Sequence, residues 1–192
     1  IAASPEMRAA QMETLSMLHQ KEPVICITHT AGVMRCLCDP KQFQSHTLKL
    51  KTDETMDYEQ LKTKLFEAGY EHVIRVDQPL CYAARGGIID VYSMNYDAPI
   101  RIEFFDNIIE SIRFFDISTQ RTIQVADAVE IIPASEYLFT EDEITEIQVQ
   151  GRKLLEKIKA EGKTQLFDSL HATLMQDMEE LSHHRNNGSL YL

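Results

Sequence analysis

The sequence predicts an α+β fold, and three observations carry that reading. Between residues 72 and 132 short apolar or alternating segments follow one another, separated only by a few residues of turn chemistry. An amphipathic helical segment, Asp57–Gly69, stands just before them, and two longer helical segments come after them. Strands at such short intervals pair as antiparallel hairpins, and a helix beside them can cover one face of the resulting sheet.

The elements follow in chain order. Ser4-Pro5-Glu6 opens a helix: a Ser that can cap, a Pro at the first helical position, and an acid near the positive end of the dipole. Met7, Ala10, Leu15 and Leu18 keep helical spacing until Pro23 breaks it. Val24-Ile25-Cys26-Ile27 is a continuous apolar run of the buried parallel-strand kind. A short helix is expected over Ala31–Leu37, ending before Asp39-Pro40, so residues 1–43 read as a helix–strand–helix piece of an α/β domain. Thr47–Lys51 alternates as a half-exposed strand would. The Asp57 helix carries Leu61, Leu65 and Phe66 and stops at Gly69, a good residue for a left-handed helix end.

Strands are then expected at His72–Val76, Cys81–Arg85, Ile88–Tyr92, Pro99–Phe105, Ile108–Phe115, Arg121–Val125 and Val129–Ile132. Turns fall at Gly86-Gly87, Asn95–Ala98, Asp106-Asn107 and Asp116–Gln120. From Thr47 the chain therefore reads as an antiparallel module with a covering helix, and after Pro133 as a helical segment. Thr140-Glu141-Asp142-Glu143 is a capping box opening a helix with Ile144, Ile147, Leu154, Leu155 and Ile158 along it. Gly162 interrupts it, and a second helix from Thr164 carries Leu166, Phe167, Leu170, Leu174, Met178 and Leu181 before the polar tail His183–Gly188.

Composition excludes several function classes. Nineteen basic residues against thirty acidic ones leave a net charge of −11 with His neutral, which repels phosphate backbones and argues against unaided nucleic-acid binding. No run of 18 apolar residues exists, so no membrane partner is expected. Ile1–Glu6 has neither the basic nor the apolar region of a signal peptide and lacks an initiator Met, so a piece of a longer chain is expected. Four Cys without a regular framework suit a reducing cytoplasm.

Candidate chemistry is sparse. Gly162-Lys163-Thr164 looks like the end of a phosphate-binding loop, but Lys157 stands where that loop needs its first Gly, and a helix rather than a strand precedes it. No catalytic, cofactor or metal site is expected. His29, Cys36, Cys38 and His46 form a loose Cys/His group in which Cys36-x-Cys38 is too tight for a structural zinc pair. Asp90, Glu103, Asp106 and Glu110 lie near the sheet, where acids are more often solvated or paired with Arg than catalytic.

The strand Ile100-Arg101-Ile102-Glu103-Phe104-Phe105 is more informative. Period-two alternation sends Ile100, Ile102 and Phe104 to one face and Arg101, Glu103 and Phe105 to the other. The second set leaves a large aromatic beside a guanidinium on the solvent face. With Asp106-Asn107 as a two-residue turn, Glu103 faces Glu110, a like-charge pair for which Arg101 is the nearest neutraliser. Two readings stay open on pattern alone. Either Phe105 packs beneath a neighbouring loop while Arg101 pairs with Glu103, or a partner protein covers this face, since Arg and aromatic residues dominate interface energetics.

An ordered string of motifs then carries a resemblance. Ala84-Arg85-Gly86-Gly87-Ile88-Ile89-Asp90-Val91-Tyr92, Pro99–Asp106, Ile109–Asp116 and Thr119-Gln120-Arg121-Thr122-Ile123 resemble the N-terminal UvrB-homology module of the transcription-repair coupling factor family. His46-Thr47-Leu48 and Glu67-Ala68-Gly69-Tyr70 are similar to words of the same family. The sister family UvrB shares the Arg-Gly turn and the Phe-Asp turn but typically lacks the Thr-Gln-Arg-Thr-Ile ending. The alternative it represents is an excision-nuclease subunit with its own ATPase and DNA-loading activity.

The resemblance implies that residues 45–132 bind UvrA and that residues 1–43 and 134–192 belong to a degenerate helicase-like α/β domain into which the module is inserted. It implies partner-binding roles for Arg85, Arg101 and Phe105. It also implies that ATP, magnesium, RNA polymerase and double-stranded DNA are handled by other domains of the parent, an ATP-dependent translocase, leaving this piece non-enzymatic. Tyr92-Ser93 stands where the family often has Phe-Pro, so the loop from Met94 to Ala98 is expected to be less rigid.

Overall fold

The computed structural model describes residues 5–19, 23–28, 38–135, 138 and 140–182. They fall into two compact units, one within residues 4–138 and one within residues 139–192. Among the described residues no helix is long and apolar enough to cross a membrane.

The first unit opens with α1, Pro5–His19, which places Met12 in a small cluster with Phe43 and Ile132. Val24–Ile27 is not the buried strand that its composition predicts: Ile25 is 93% and Ile27 92% exposed, and none of the described strands pairs with residues 23–28. An apolar run is held as a buried strand by neighbours on both edges, and here it has none among the described residues. The helix expected over Ala31–Leu37 lies outside the described residues, as do His29, Cys36 and the tail His183–Gly188. Asp39-Pro40 starts a helix rather than ending one. The Asp39 carboxylate accepts from Lys41 N at 2.7 Å and Pro40 occupies the first position of α2, Pro40–Ser45.

The α+β module follows. Its first strand, β1 (Leu48–Lys51), alternates buried and exposed as predicted and pairs antiparallel with β8 (Ala128–Ile131), from Leu48 against Ile131 to Lys51 against Ala128. Between them lies a six-stranded sheet in the order β2-β3-β4-β5-β6-β7, comprising Glu71–His72, Cys81–Arg85, Ile88–Val91, Ile100–Phe105, Ile108–Phe115 and Thr122–Ala126. The covering helix α3, Tyr58–Glu67, is capped by the Asp57 carboxylate, which accepts from Gln60 N at 2.9 Å, and gives way to Gly69 at φ +85°. Its Leu61 and Leu65 join Ile89, Val91, Ile100, Ile102, Ile109 and Ile112 of the inner sheet face in one core.

The sheet differs from the sequence reading in two respects. The expected strand His72–Val76 shrinks to Glu71–His72, and that short strand runs parallel to β3. A longer β2 would carry the chain away from the point where β3 must start, so residues 73–80 are spent on the return. The strand expected at Val129–Ile132 leaves the meander altogether to pair with β1.

The loop after β4 is pinned, contrary to the expectation of a less rigid segment. Ser93, fully buried, donates to Asn95 Oδ1 at 2.6 Å and accepts from Ile132 N at 3.2 Å. Asn95 Nδ2 donates to Glu130 O at 2.7 Å, the Tyr96 hydroxyl accepts from Glu130 N at 3.0 Å, and the Tyr92 hydroxyl donates to Asp97 O at 3.0 Å. Ser and Asn side chains do here with hydrogen bonds what a proline ring does with a fixed dihedral.

The second unit is a helical pair. Thr140 opens α4 (Glu141–Ala160) with the predicted reciprocal capping box to Glu143. Gly162, at φ +71°, separates it from α5 (Thr164–Ser182). Leu155, Leu174 and Met178 form the core of this unit, with Phe167 and Leu170 against it, while Leu154 is exposed.

Candidate functional site

The outer face of the six-stranded sheet, opposite α3, holds the side chains of interest. Register fixes them in rows. Ala83 of β3, Asp90 of β4, Arg101 of β5, Arg113 of β6 and Val125 of β7 stand opposite one another in successive strand pairs. The next row is Arg85, Ile88, Glu103 and Ser111. Phe105 and Ile108 form a third pair at the end of the β5–β6 hairpin.

Local sequence explains this placement. Gly86 and Gly87 both have positive φ, +52° and +82°, which makes the tight two-residue turn that matches strand twist and brings Arg85 opposite Ile88. Arg85 Nη2 then donates to Asp90 Oδ2 at 3.2 Å. On β5, Arg101 sits directly across from Asp90 and donates to both carboxylate oxygens, Nε to Oδ1 at 2.6 Å and Nη2 to Oδ2 at 2.8 Å. Arg101 Nη2 also donates to Gln120 Oε1 at 2.9 Å, and the guanidinium carbon lies 4.4 Å from the centre of the Phe115 ring.

The two arginines are therefore unlike. The Arg101 side chain is 13% exposed, whereas that of Arg85 is 51% exposed and makes one longer bond to the shared carboxylate. Hydrogen bonding to Asp90 raises the Arg101 guanidinium further above its already high range, against the opposing cost of burial. Asp90 itself is buried. An unpaired carboxylate there would be prohibitive, and the two guanidiniums compensate it.

Phe105 is 66% exposed, so it does not pack beneath a neighbouring loop. Arg101, Glu103 and Phe105 share the face that alternation assigned to them. Their ion pairing is different, however. A bulge between Glu103 and Phe104 shifts the register so that Glu103 faces Ser111, not Glu110. Glu103 accepts from Ser111 Oγ at 2.8 Å and pairs with Arg113, leaving Arg101 to Asp90. Sequence reasoning missed Arg113, and also Ile123 and Val125, which are exposed on the β7 edge strand. Strict alternation counted from Ile109 sends Arg113 to the core face; the extra residue of the bulge puts it on the outer one, and neither that bulge nor the pairing of β7 was readable.

The remaining candidates show other uses. Asp106, at φ +52°, forms the β5–β6 turn, and Glu110 is exposed. Cys38 packs against the Met12 cluster, and His46 Nδ1 lies 2.9 Å from Gln42 O. Among the described residues no group of three or more His, Cys, Asp or Glu is arranged to hold a metal ion. What the outer face offers chemically is three guanidiniums, two carboxylates and a border of exposed apolar groups, a combination suited to recognition by another protein.

Comparison with known families shows what this module resembles. Residues 48–137 match the family model described as the UvrB interaction domain, a span running from the first residue of β1 to just beyond β8. Over that span the chain is similar to a UvrB interaction domain. Curated relatives agree. It is 32% identical to the transcription-repair-coupling factor of Bacillus subtilis over 94% of its own length, covering 15% of that protein. It is 33% identical to the same factor of Staphylococcus aureus strain USA300 over 81% of its length, covering 13%. It is 32% identical to that of Escherichia coli K12 over 67%, covering 11%. The chain thus spans 15% or less of the length of these relatives, and the span similar to the UvrB interaction domain is residues 48–137.

Proposed function

We propose that this chain is the UvrA-recruiting segment of a transcription-repair coupling factor that acts in transcription-coupled nucleotide excision repair. Its UvrB interaction domain docks UvrA by recognition rather than catalysis, with Arg85 and Arg101 supplying positive charge and Phe105 the apolar anchor. Residues 1–43 and 134–192 belong to a helicase-like domain of the parent into which the module is inserted. ATP and magnesium, RNA polymerase and double-stranded DNA engage other parts of that cytoplasmic translocase.

The observation that carries this reading is the exposure of Phe105 on the same outer face as the two arginines. A solvent-facing phenylalanine beside guanidiniums is the composition of an interface hot spot. The antiparallel pairing of β1 with β8 supports the insertion, because it brings the incoming and outgoing chain together at one side of the module.

Calorimetric titration of the cognate UvrA with the 192-residue chain tests the assignment. Arg101→Ala and Phe105→Ala are each expected to weaken binding by at least about tenfold with the fold retained. Arg101→Lys should weaken it too, because an ammonium cannot reproduce a planar fork. Parental affinity in folded variants defeats the reading.

A further inference from the structure

Arg101 has five N–H donors, and their use is uneven. Nε serves Asp90 Oδ1, and the two donors of Nη2 serve Asp90 Oδ2 and Gln120 Oε1. The flat side of the guanidinium that ordinarily grips a carboxylate with two parallel bonds is already filled from within the chain. Only the two N–H groups of Nη1 lack a hydrogen-bond partner among the described residues. The Phe115 ring lies beneath the guanidinium carbon, its centre 4.4 Å away.

Gln120 is itself held. Its φ is +61°, its N donates to Asp116 O at 2.7 Å, and its Nε2 donates to Ile117 O at 2.9 Å. The Asp116 carboxylate accepts from Ser118 Oγ, Thr119 N and Thr119 Oγ1. The turn is thus built to present one amide oxygen to Arg101.

We infer that Asp90 is a positioning residue for UvrA docking: it occupies the Nε/Nη2 side of Arg101 and tethers Arg85, so that Arg101 meets its partner end-on through Nη1 while Arg85 stays half free. This rests on the docking role proposed above. The two N–H groups of Nη1 diverge, so each suits one acceptor oxygen of the partner, a backbone carbonyl or one carboxylate oxygen. The pair does not suit a second bidentate carboxylate.

Three variants of the 192-residue chain test this: Asp90→Asn, Asp90→Glu and Gln120→Gly. Nitrogen-15 NMR of the arginine Nε–H groups, core amide spectra and calorimetry with UvrA are the readouts. In Asp90→Asn the Arg101 Nε–H signal should lose its protection from solvent while core amides stay in place, and affinity should fall about tenfold. Asp90→Glu keeps the charge but displaces it by one methylene, so stability should return and affinity should not. Should Asp90→Asn fail to fold, Gln120→Gly suits the positive φ, removes one acceptor, and is expected to weaken binding about threefold.

Parental affinity in folded Asp90→Asn, or full recovery in Asp90→Glu, overturns the positioning role while the docking reading stands. In the fallback case, parental affinity in folded Gln120→Gly does the same. Parental affinity in Arg101→Ala and Phe105→Ala overturns the docking reading itself.

Discussion

At the scale of single residues, hydrogen bonds from side chain to backbone decide several features. The Tyr70 hydroxyl, fully buried, donates to Ile132 O at 2.6 Å, and burial pushes its ionisation well above the usual phenol range, so it stays a neutral donor. Tyr70→Phe leaves that carbonyl without this partner and is expected to cost about 1–3 kcal/mol, read as a lower urea midpoint at unchanged slope. Asp116 is governed differently. Hydrogen bonds from Ser118 and Thr119 hold its carboxyl down to about 2, against an ordinary 3.8. A depressed folded value means its contribution to stability is complete above the ordinary carboxylate range and is lost as pH falls toward about 2. The Asp116 carboxyl carbon should titrate there by NMR; a midpoint near the ordinary value would contradict the turn's hydrogen bonding. Arg101 and Phe105 were legible in the sequence because strand parity holds along β5 through Phe105. The Asp90–Arg101 pair was not, because the pinned loop of residues 92–99 sets which residue of β4 meets which of β5. The bulge at Glu103/Phe104 was equally invisible, as no Gly or Pro marks it.

At the scale of elements, glycines with the same left-handed backbone do different work. Gly69 has φ +85°, and a Cβ there would overlap the Cβ of Ser135. Gly86 has φ +52°, and a Cβ there would meet open space. Gly86→Ala should therefore cost about 1 kcal/mol from backbone strain alone, and Gly69→Ala clearly more, since steric overlap adds to strain. Thermal melts of the two variants rank them, and equal losses would contradict the close approach. Element existence was largely readable: β3 and β6 have the predicted bounds, and the Asp57 and Thr140 caps open the predicted helices. What failed depended on neighbours. Val24–Ile27 has strand composition without a described strand beside it, and β2 is cut short by the return its parallel partner demands. Asp39-Pro40 misled for a simpler reason, since the same dipeptide can end one helix or cap the next.

At the scale of the molecule, the two units differ in how much core each commands. The sheet unit buries a continuous layer from Leu48 to Ala134, whereas the helical pair rests on Leu155, Leu174 and Met178 with two flanking side chains. Amide exchange should accordingly be slowest in β4, β5 and β6 and markedly faster in α4 and α5, and uniform protection would contradict that ordering. Charge is also uneven. The chain as a whole carries −11, yet Arg85, Arg101 and Arg113 outnumber Asp90 and Glu103 on the outer sheet face. Composition argued only against unaided nucleic-acid binding and could not locate that local excess of arginine, which strand pairing creates. The pairing of Leu48 with Ile131 has one more consequence. Two neighbouring strands lie about 5 Å apart, so a cassette that starts at 48 and runs on through 134, keeping the bonds of Ile132 to Tyr70 and Ser93, is expected to enter a surface bend of an unrelated scaffold with scarcely any bridging sequence.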